Sequence, residues 1–433
     1  MTIPPGIRSV LRNFSFLFGS QILATLVGGA YAVLLARLLG PGLYGTLTYG
    51  FSWYLTFITL TSLGLDVVLG REVGRDRSTA PVLAGSTLAL RAIATIAIAF
   101  LSAGVALVME PDPTARPLLL VLSVALLGRA VWLWCGSVFV AFENTRRQLA
   151  IDIAFRPTEL CVTILILSFL APQSILAVGI VHATLWWLQA AFGIAVILKR
   201  LTRVDFRGFA LRAWSLLKEG IPGVVYTIAV TWFLQSPIVL FRQVAGMGDA
   251  LGHFALAIQM TGYFLTVPYL VGSVALPVLS RSAARDDGKT RAAAIAMLVT
   301  IPAVGILLGL FGIWLAPPLI ALVFGADYLQ AGRILGEAVW LLTPISLAIG
   351  LQQILFSRRL MLRAASLSAL LGIASMAALF APLTRALSYH GALLATGIGM
   401  SLWAGGLVMA LISAGVLAKP ATAMRNAVPG RIP

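Results

Sequence analysis

Long apolar segments alternate with short polar loops along the whole chain. Each apolar segment reaches the roughly 20 residues that a helix needs to cross a hydrocarbon core of about 30 Å. We therefore predict about twelve membrane-spanning helices. They cover residues 14–38, 44–65, 82–109, 118–141, 149–171, 173–198, 220–241, 251–279, 292–316, 334–356, 364–384 and 391–417.

Basic residues are concentrated in every second loop. The loops on the other side contain only Arg37, Arg116, Arg242, Arg333 and Arg385. Because short loops keep their positive residues on the cytoplasmic side, this asymmetry predicts that both termini are cytoplasmic. We therefore expect an all-α, multi-pass protein of the bacterial cell inner (cytoplasmic) membrane.

Composition supports a membrane protein. The chain has 60% hydrophobic and 11% charged residues, with a mean hydropathy of +0.98. The net charge of +16 would suggest a nucleic-acid partner in a soluble domain. Here the charge follows the topology, so we expect no nucleic-acid binding. Cys135 and Cys161 both lie in apolar segments, so no disulfide framework is expected.

The basic stretch at residues 199–219 divides the chain into two halves of about six spans each. We predict an N-terminal lobe at 1–205 and a C-terminal lobe at 206–433. Arg37 and Arg242 each precede a glycine-rich turn at the same place in their half, which favours a parallel duplication. Apolar and cationic residues alternate through the stretch itself. This favours an interfacial amphipathic helix, with a solvated linker as the alternative.

Three arginines fall inside predicted spans, where a charge costs about 2.5–3.5 kcal/mol on insertion scales. Arg91 and Arg129 have no evident partner nearby in the sequence. We therefore predict that both face a water-filled cavity and bind an anionic group.

Arg156 follows a different pattern, because it shares one stripe of its span with Asp152 and Glu159. In one interpretation, these two carboxylates neutralise Arg156 on its own helix. In the other, Arg156 joins Arg91 and Arg129 in the cavity. The carboxylates, together with Asp66 at the end of the second span, then balance the charge or titrate.

Uncharged polar residues also recur on four spans. Their representatives are Gln21, Trp53, Thr231 and Gln259. Amides and hydroxyls beside aromatic faces suit a sugar ligand. Contacts between packed helices are the alternative explanation.

Catalytic patterns are missing from the sequence. There is no glycine-rich Walker loop, and His182, His253 and His390 lie on separate spans without zinc-like spacing. We therefore predict a transporter that is not an enzyme and that holds no metal or organic cofactor.

Several motifs resemble those of a known family. The segment Leu35–Gly45 and its continuation at residues 63–77 resemble the polysaccharide-transport (O-antigen/oligosaccharide-type) flippases. These proteins belong to the multidrug/oligosaccharidyl-lipid/polysaccharide exporter superfamily. Further similarity lies at residues 214–222, 322–328 and 389–396, so it extends over nearly the whole chain.

This resemblance implies a MATE-like fold, with two six-helix lobes arranged as a V around a cavity that opens alternately to each side. It also implies flipping of an undecaprenyl-pyrophosphate-linked oligosaccharide or related polysaccharide precursor to the outer leaflet. The pyrophosphate is expected at Arg91 and Arg129. Implied partners are the lipid-linked glycan, membrane lipids and a polysaccharide polymerase or other biosynthesis proteins. A coupling ion, H⁺ or Na⁺, would replace ATP.

Three other functions are weighed against the flippase. A cation-coupled multidrug antiporter of the same fold would favour acidic, aromatic cavities. A major-facilitator transporter is suggested by Gly70–Arg75, which lacks the acidic residue expected there. A membrane-embedded polymerase or ligase would need a large outer loop, and no outer connection here exceeds about twenty residues, which is already long for packed helices.

Overall fold

A computed structural model describes residues 5–265, 289–357 and 362–413, and this part of the chain is helical without a β-strand. It contains thirteen α-helices. They are α1 (Pro5–Leu60), α2 (Leu65–Arg75), α3 (Ala80–Met109), α4 (Ala115–Ala141), α5 (Thr145–Leu165), α6 (Ile175–Arg200), α7 (Phe209–Ala245), α8 (Asp249–Phe264), α9 (Lys289–Phe324), α10 (Leu329–Ala338), α11 (Leu342–Ser357), α12 (Leu362–Leu387) and α13 (Tyr389–Ser413).

The predicted membrane-spanning pattern is confirmed. Ten segments of the described chain are long and apolar enough to cross a membrane. The first of them, Phe18–Leu60, contains a break and corresponds to two predicted spans. The eighth predicted span begins with α8, and its remainder lies outside the described residues. The fold is therefore all-α and multi-pass, and the cytoplasmic location of both termini stays a prediction.

The break in α1 lies at Gly40, whose φ is 72° and ψ is 171°. Only glycine adopts this conformation without steric cost. Pro41 follows directly and has no backbone N–H to continue the helical hydrogen bonds. The glycine-rich turn that the sequence indicates between the first two spans is therefore a sharp break between two long helices.

The basic stretch between the predicted lobes is helical from Phe209 onward, as the first turns of α7. Leu211 is 89% exposed and Trp214 is 65% exposed. The Lys218 ammonium lies 5.1 Å from the centroid of the Trp214 ring. The apolar and cationic residues of this segment are thus on a helix, and its contact with lipid headgroups stays a prediction.

The chain packs as two compact units. One contains residues 1–259 with 315–334, and the other contains residues 260–314 with 335–433. The lobe boundary at residues 205/206 rests on the basic stretch at residues 199–219 and stays a prediction.

Within the first unit, α4 and α6 approach each other closely at Gly128. A Cβ atom on Gly128 would lie 2.8 Å from the backbone nitrogen of Trp187. The two helices bury Trp134, Phe139 and Ile197 in a shared apolar cluster. Because Gly128 has no side chain, the residue after it on α4 is brought against the α6 surface.

The same unit contains two places where the two sequence halves touch backbone to backbone. At one, a Cβ on Gly252 of α8 would lie 1.9 Å from the carbonyl oxygen of Pro41. At the other, a Cβ on Gly220 of α7 would lie 2.0 Å from the carbonyl oxygen of Leu63. Only glycine fits at these two contacts.

We predict that Gly128→Ala lowers the stability of the protein. The added methyl group would meet the α6 backbone, and overpacking of this kind costs about 1–3 kcal/mol. The measurement is the thermal unfolding midpoint of the purified protein in detergent. Gly104→Ala on α3 is the matched control, because nothing lies within 4 Å of its Cβ position. Equal midpoints for the two variants would contradict the close approach of α4 and α6.

Candidate functional site

Two triplets of polar and aromatic residues face each other across α5 and α6. Each triplet has i, i+4, i+7 spacing, so its members form one stripe of a helix. The helices contact each other through these stripes in an antiparallel order. The α5 residues Asp152, Arg156 and Glu159 meet Gln189, Trp186 and His182 of α6, respectively. We refer to these three pairs as the α5–α6 ladder.

Hydrogen bonds close the two ends of the ladder. Gln189 Nε2 donates to Asp152 Oδ1 over 3.0 Å, and the Ser20 hydroxyl of α1 donates to the other carboxylate oxygen over 2.7 Å. At the opposite end, His182 Nδ1 lies 2.6 Å from Glu159 Oε1. Both carboxylates therefore have polar partners on neighbouring helices.

The middle of the ladder is the indole ring of Trp186, which is 1% exposed. The Arg156 guanidinium carbon lies 4.4 Å from its centroid, and that of Arg129 on α4 lies 3.9 Å from it. Arg129 follows Gly128, so the close approach of α4 and α6 positions its guanidinium on the ring. Two cations thus share one aromatic partner.

These two arginines keep hydrogen-bonding capacity. Arg129 Nε and Arg156 Nε are both buried and have no hydrogen-bond acceptor. A cation–π contact contributes about 2 kcal/mol or more when it is desolvated, but it uses no N–H donor. The arrangement places two guanidinium groups against one indole ring and leaves a buried Nε–H of each without an acceptor.

The interpretation in which Asp152 and Glu159 neutralise Arg156 on its own helix stays a prediction, and the described contacts do not favour it. Within the described residues, Arg156 forms no ion pair with Asp152 or Glu159; its contact is with Trp186. The two carboxylates bond instead to Ser20, Gln189 and His182. Helical spacing placed the three residues on one stripe, but residues of other helices decided their partners.

Arg91 is in a different environment from the other two arginines. Its side chain is 1% exposed, and its Nη2 lies 2.7 Å from Asp66 Oδ1 and 3.1 Å from the carbonyl oxygen of Ser62. The Ser137 hydroxyl also donates to Asp66 Oδ1. Arg91 therefore has a carboxylate partner that is distant in the sequence, because α2 turns back and brings Asp66 against α3. Its role in substrate binding stays a prediction that this geometry does not favour.

A second buried ion pair joins the two sequence halves. Arg242 Nη2 of α7 lies 2.5 Å from Oε1 of Glu110, whose side chain is 1% exposed. The Tyr49 hydroxyl donates to Glu110 Oε2 over 2.8 Å. In the sequence, Arg242 is an arginine at the end of a predicted span, and no pattern marks Glu110 as its partner. Arg37, its counterpart in the first half, donates instead to the backbone carbonyls of residues 322 and 323 at the end of α9.

A third ion pair lies near the start of α7, outside the candidate spans. Arg71 of α2 bonds to Glu72 over 2.7 Å and also to Glu219. The bond to Glu72, which has the larger effect, and the bond to Glu219 raise the pKa of Arg71 above its ordinary value. Because Arg71 and Glu219 are each more than two-fifths exposed, water screens this pair strongly.

The uncharged candidates divide into two groups. Trp53 is 6% exposed, and its indole N–H donates to Ser102 Oγ over 2.9 Å. The Gln259 side-chain oxygen accepts from the Tyr44 hydroxyl over 2.5 Å. Gln21 is exposed and Thr231 is partly exposed. Gln259 is also partly exposed, so Trp53 is the one buried residue of the four.

Sequence reasoning missed His182 and Trp186. A histidine and an aromatic residue on an apolar span carry little signal alone. Their spacing with Gln189 repeats the spacing of the α5 triplet, and that match was the available signal. This match in spacing indicates a contact only if α5 and α6 are known to be adjacent and antiparallel, which the sequence does not show.

A family sequence profile identifies the family of the chain. The profile of the family described as "Polysaccharide biosynthesis protein" matches residues 10–283. The chain belongs to this polysaccharide biosynthesis family. No curated protein is significantly similar to the chain in sequence.

Solved structures show the fold of this family member. The lipid II flippase MurJ in an inward closed conformation matches with a TM-score of 0.66 and 17% identity, covering 93% of this chain and 87% of MurJ. An inward-facing multidrug resistance MATE family transporter of the MOP superfamily matches with a TM-score of 0.67 and 17% identity, covering 92% and 96%. A MOP superfamily transporter from Pyrococcus furiosus, described as having a binding pocket of reverse polarity, matches with a TM-score of 0.63 and 14% identity, covering 95% and 96%.

The predicted MATE-like fold is confirmed by these matches, and the major-facilitator alternative does not agree with them. The neighbours are transporters and flippases by their descriptions. At 14–17% identity these matches show the fold, and the prediction of a transporter rather than a polymerase or ligase stays a prediction.

We predict that Glu110→Gln strongly destabilises the family member. The variant leaves the Arg242 cation without its carboxylate, and breaking a buried pair costs about 3–5 kcal/mol. The measurement is again the thermal unfolding midpoint in detergent.

Two further variants test this explanation. Glu110→Gln combined with Arg242→Met removes the unpaired charge and is expected to recover most of the loss. Glu337→Gln breaks the exposed pair with His390 and is expected to change stability by less than about 1 kcal/mol. If the double variant were no more stable than Glu110→Gln, the loss would not come from the unpaired cation.

Proposed function

We propose that the protein flips an undecaprenyl-pyrophosphate-linked oligosaccharide, or a related polysaccharide precursor, from the inner to the outer leaflet. Membership of the polysaccharide biosynthesis family supports a glycan substrate. The fold shared with a lipid II flippase supports a lipid-linked one. The bacterial inner membrane and a neighbouring polymerase or other biosynthesis proteins are part of this proposal.

The observation that carries the proposal is the pair of arginines on Trp186. Guanidinium groups bind phosphate oxygens through charge-assisted hydrogen bonds, often two at once. Arg129 and Arg156 lie on the same ring, are each partly exposed, and keep unpartnered Nε–H donors. We assign the pyrophosphate to these two arginines and not to Arg91, which Asp66 already neutralises.

Sugar contacts belong to the exposed polar residues. Gln21 and Thr231 are available for hydroxyl groups, whereas Trp53 and Gln259 already bond within the protein. In this proposal the latter two contribute through their apolar surfaces and by holding neighbouring helices in place.

Alternating access is supported by contacts at both ends of α7 and of the part of α1 that follows the break at Gly40. At one end, Gly252 touches Pro41, and the Glu110–Arg242 pair joins the sequence halves. At the other end, Gly220 touches Leu63, and the pair between Arg71 and Glu219 lies beside it. We propose that opening to either side of the membrane breaks the contacts at that end only.

A multidrug antiporter of the same fold is the second candidate, since such transporters share the architecture. It would be favoured by carboxylates that are open to a cationic drug. Asp152, Glu159 and Glu110 are instead bonded to partners within the protein. The geometry of these residues favours an anionic substrate.

We predict that Arg129→Gln and Arg156→Gln each slow translocation at least tenfold. Each variant removes a charge-assisted bond to phosphate, which contributes about 1.5–3 kcal/mol, and about 1.4 kcal/mol corresponds to a factor of ten. The measurement is the amount of lipid-linked intermediate on the inner leaflet of deletion cells that express each variant at normal membrane levels.

Arg385→Gln is the matched control, because Arg385 is exposed near the end of α12. It is expected to restore normal surface polymer. Normal export by both Arg129→Gln and Arg156→Gln would remove the arginine pair from the substrate site. Normal surface polymer in the deletion cells themselves would exclude the flippase function.

A further inference from the structure

His182 belongs to the α5–α6 ladder and contacts Trp186, the residue on which Arg129 and Arg156 lie. Its ring is held in place on two sides by α1, with centroids 4.9 Å from Phe51 and 5.3 Å from Tyr54, both edge to face. Its side chain is 11% exposed and that of Glu159 is 12% exposed. The orientation of the ring is therefore set by packing, and water has little access to it.

The hydrogen bonds determine which ring nitrogen carries the proton. An indole N–H only donates, and Trp186 Nε1 lies 3.0 Å from His182 Nε2. His182 Nε2 must therefore accept, so the ring proton is on Nδ1 and is shared with Glu159. In this state His182 is neutral and Glu159 is a carboxylate.

The charges around the ring are then balanced. The titratable and charged groups that face it or its partners are Tyr31 and Tyr54 on α1, Arg129 on α4, and Asp152, Arg156 and Glu159 on α5. Two arginines offset two carboxylates. Among these groups, histidine is the type that ordinarily exchanges a proton near neutral pH.

We propose that the Glu159–His182 pair is a proton-binding site that controls the position of Trp186 and, through it, of the two arginines. A proton added to Nε2 would point two donors at each other across the 3.0 Å contact. The indole must then move away from the histidine. Because Arg129 and Arg156 lie on that indole, their guanidinium groups move with it. The link to transport rests on the proposed function, whereas the proton site itself does not.

The test is nitrogen NMR of ¹⁵N-histidine-labelled protein in lipid nanodiscs. The chain has only three histidines, so His182→Asn assigns the signal. We expect the neutral tautomer with its proton on Nδ1 at pH 8 and the doubly protonated ring at pH 5. A proton on Nε2 at pH 8, or a ring that stays neutral down to pH 5, would overturn the proposal.

Two variants are expected to shift this titration in opposite directions. Trp186→Phe removes the donor that favours the neutral ring, so the proton affinity of His182 is expected to rise at least threefold. Glu159→Gln removes the carboxylate that favours the charged ring, so the affinity is expected to fall at least threefold. Shifts in the same direction would overturn the proposal. If Trp186→Phe does not fold, the tautomer of the unaltered protein and Glu159→Gln still decide it.

His390 is the matched control within the same molecule. It lies 2.7 Å from Glu337 with no indole partner among its described contacts, and its side chain is 55% exposed. Neither Trp186→Phe nor Glu159→Gln is expected to change its titration, whereas Glu337→Gln lowers its proton affinity. Equal effects of Trp186→Phe on both histidines would show a global change and overturn the assignment.

The role in transport is tested separately with His182→Asn. We expect export by the unaltered protein to depend on pH between 6 and 8, and export by this variant to lose that dependence. Unchanged pH dependence would overturn the coupling. A different substrate would remove the proposed function but leave the NMR result in place.

Discussion

The stacking of two guanidinium groups on the indole of Trp186 is the interaction on which the functional interpretation depends. A cation inside a membrane protein is usually paired with an anion or hydrated. Contact with an aromatic face is a third way to stabilise the charge, and it leaves the N–H donors of the guanidinium group unused. Arg129 and Arg156 are therefore held on the ring while each keeps an Nε–H without an acceptor, and we propose that this pair binds an oxyanion.

The buried arginines show the contrasting solution. Arg91 bonds to Asp66, and Arg242 bonds to Glu110. A carboxylate at bonding distance neutralises the cation, so these pairs hold helices together, although Arg91 Nε and Nη1 and Arg242 Nε also have no acceptor. Among the described residues, two buried arginines thus bind carboxylates and two partly exposed arginines share a tryptophan. This separation distinguishes structural charges from candidate substrate ligands.

The arginine pair exists because backbones approach closely elsewhere. Gly128 lets α4 meet α6, which brings Arg129 onto Trp186, while the antiparallel contact of α5 and α6 supplies Arg156. The same contact places Glu159 against His182. One packing arrangement therefore connects the candidate anion site to the candidate proton site.

The sequence by itself determined the membrane class, the span pattern and the break at Gly40, because hydropathy and glycine or proline conformations act locally along the chain. The MATE-like fold was implied by the resemblance of its motifs to a known family. The sequence also identified Arg129 and Arg156 as charges that need an explanation. It did not reveal Trp186, His182 or Glu110, and it left Arg91 without the partner that α2 provides. Those assignments depend on which helices are neighbours and on their rotation about their axes. Only tertiary packing decides which helices are neighbours and how each is rotated. The spacing of residues along a helix shows which of them share a face, but it does not show which residues of another helix that face contacts.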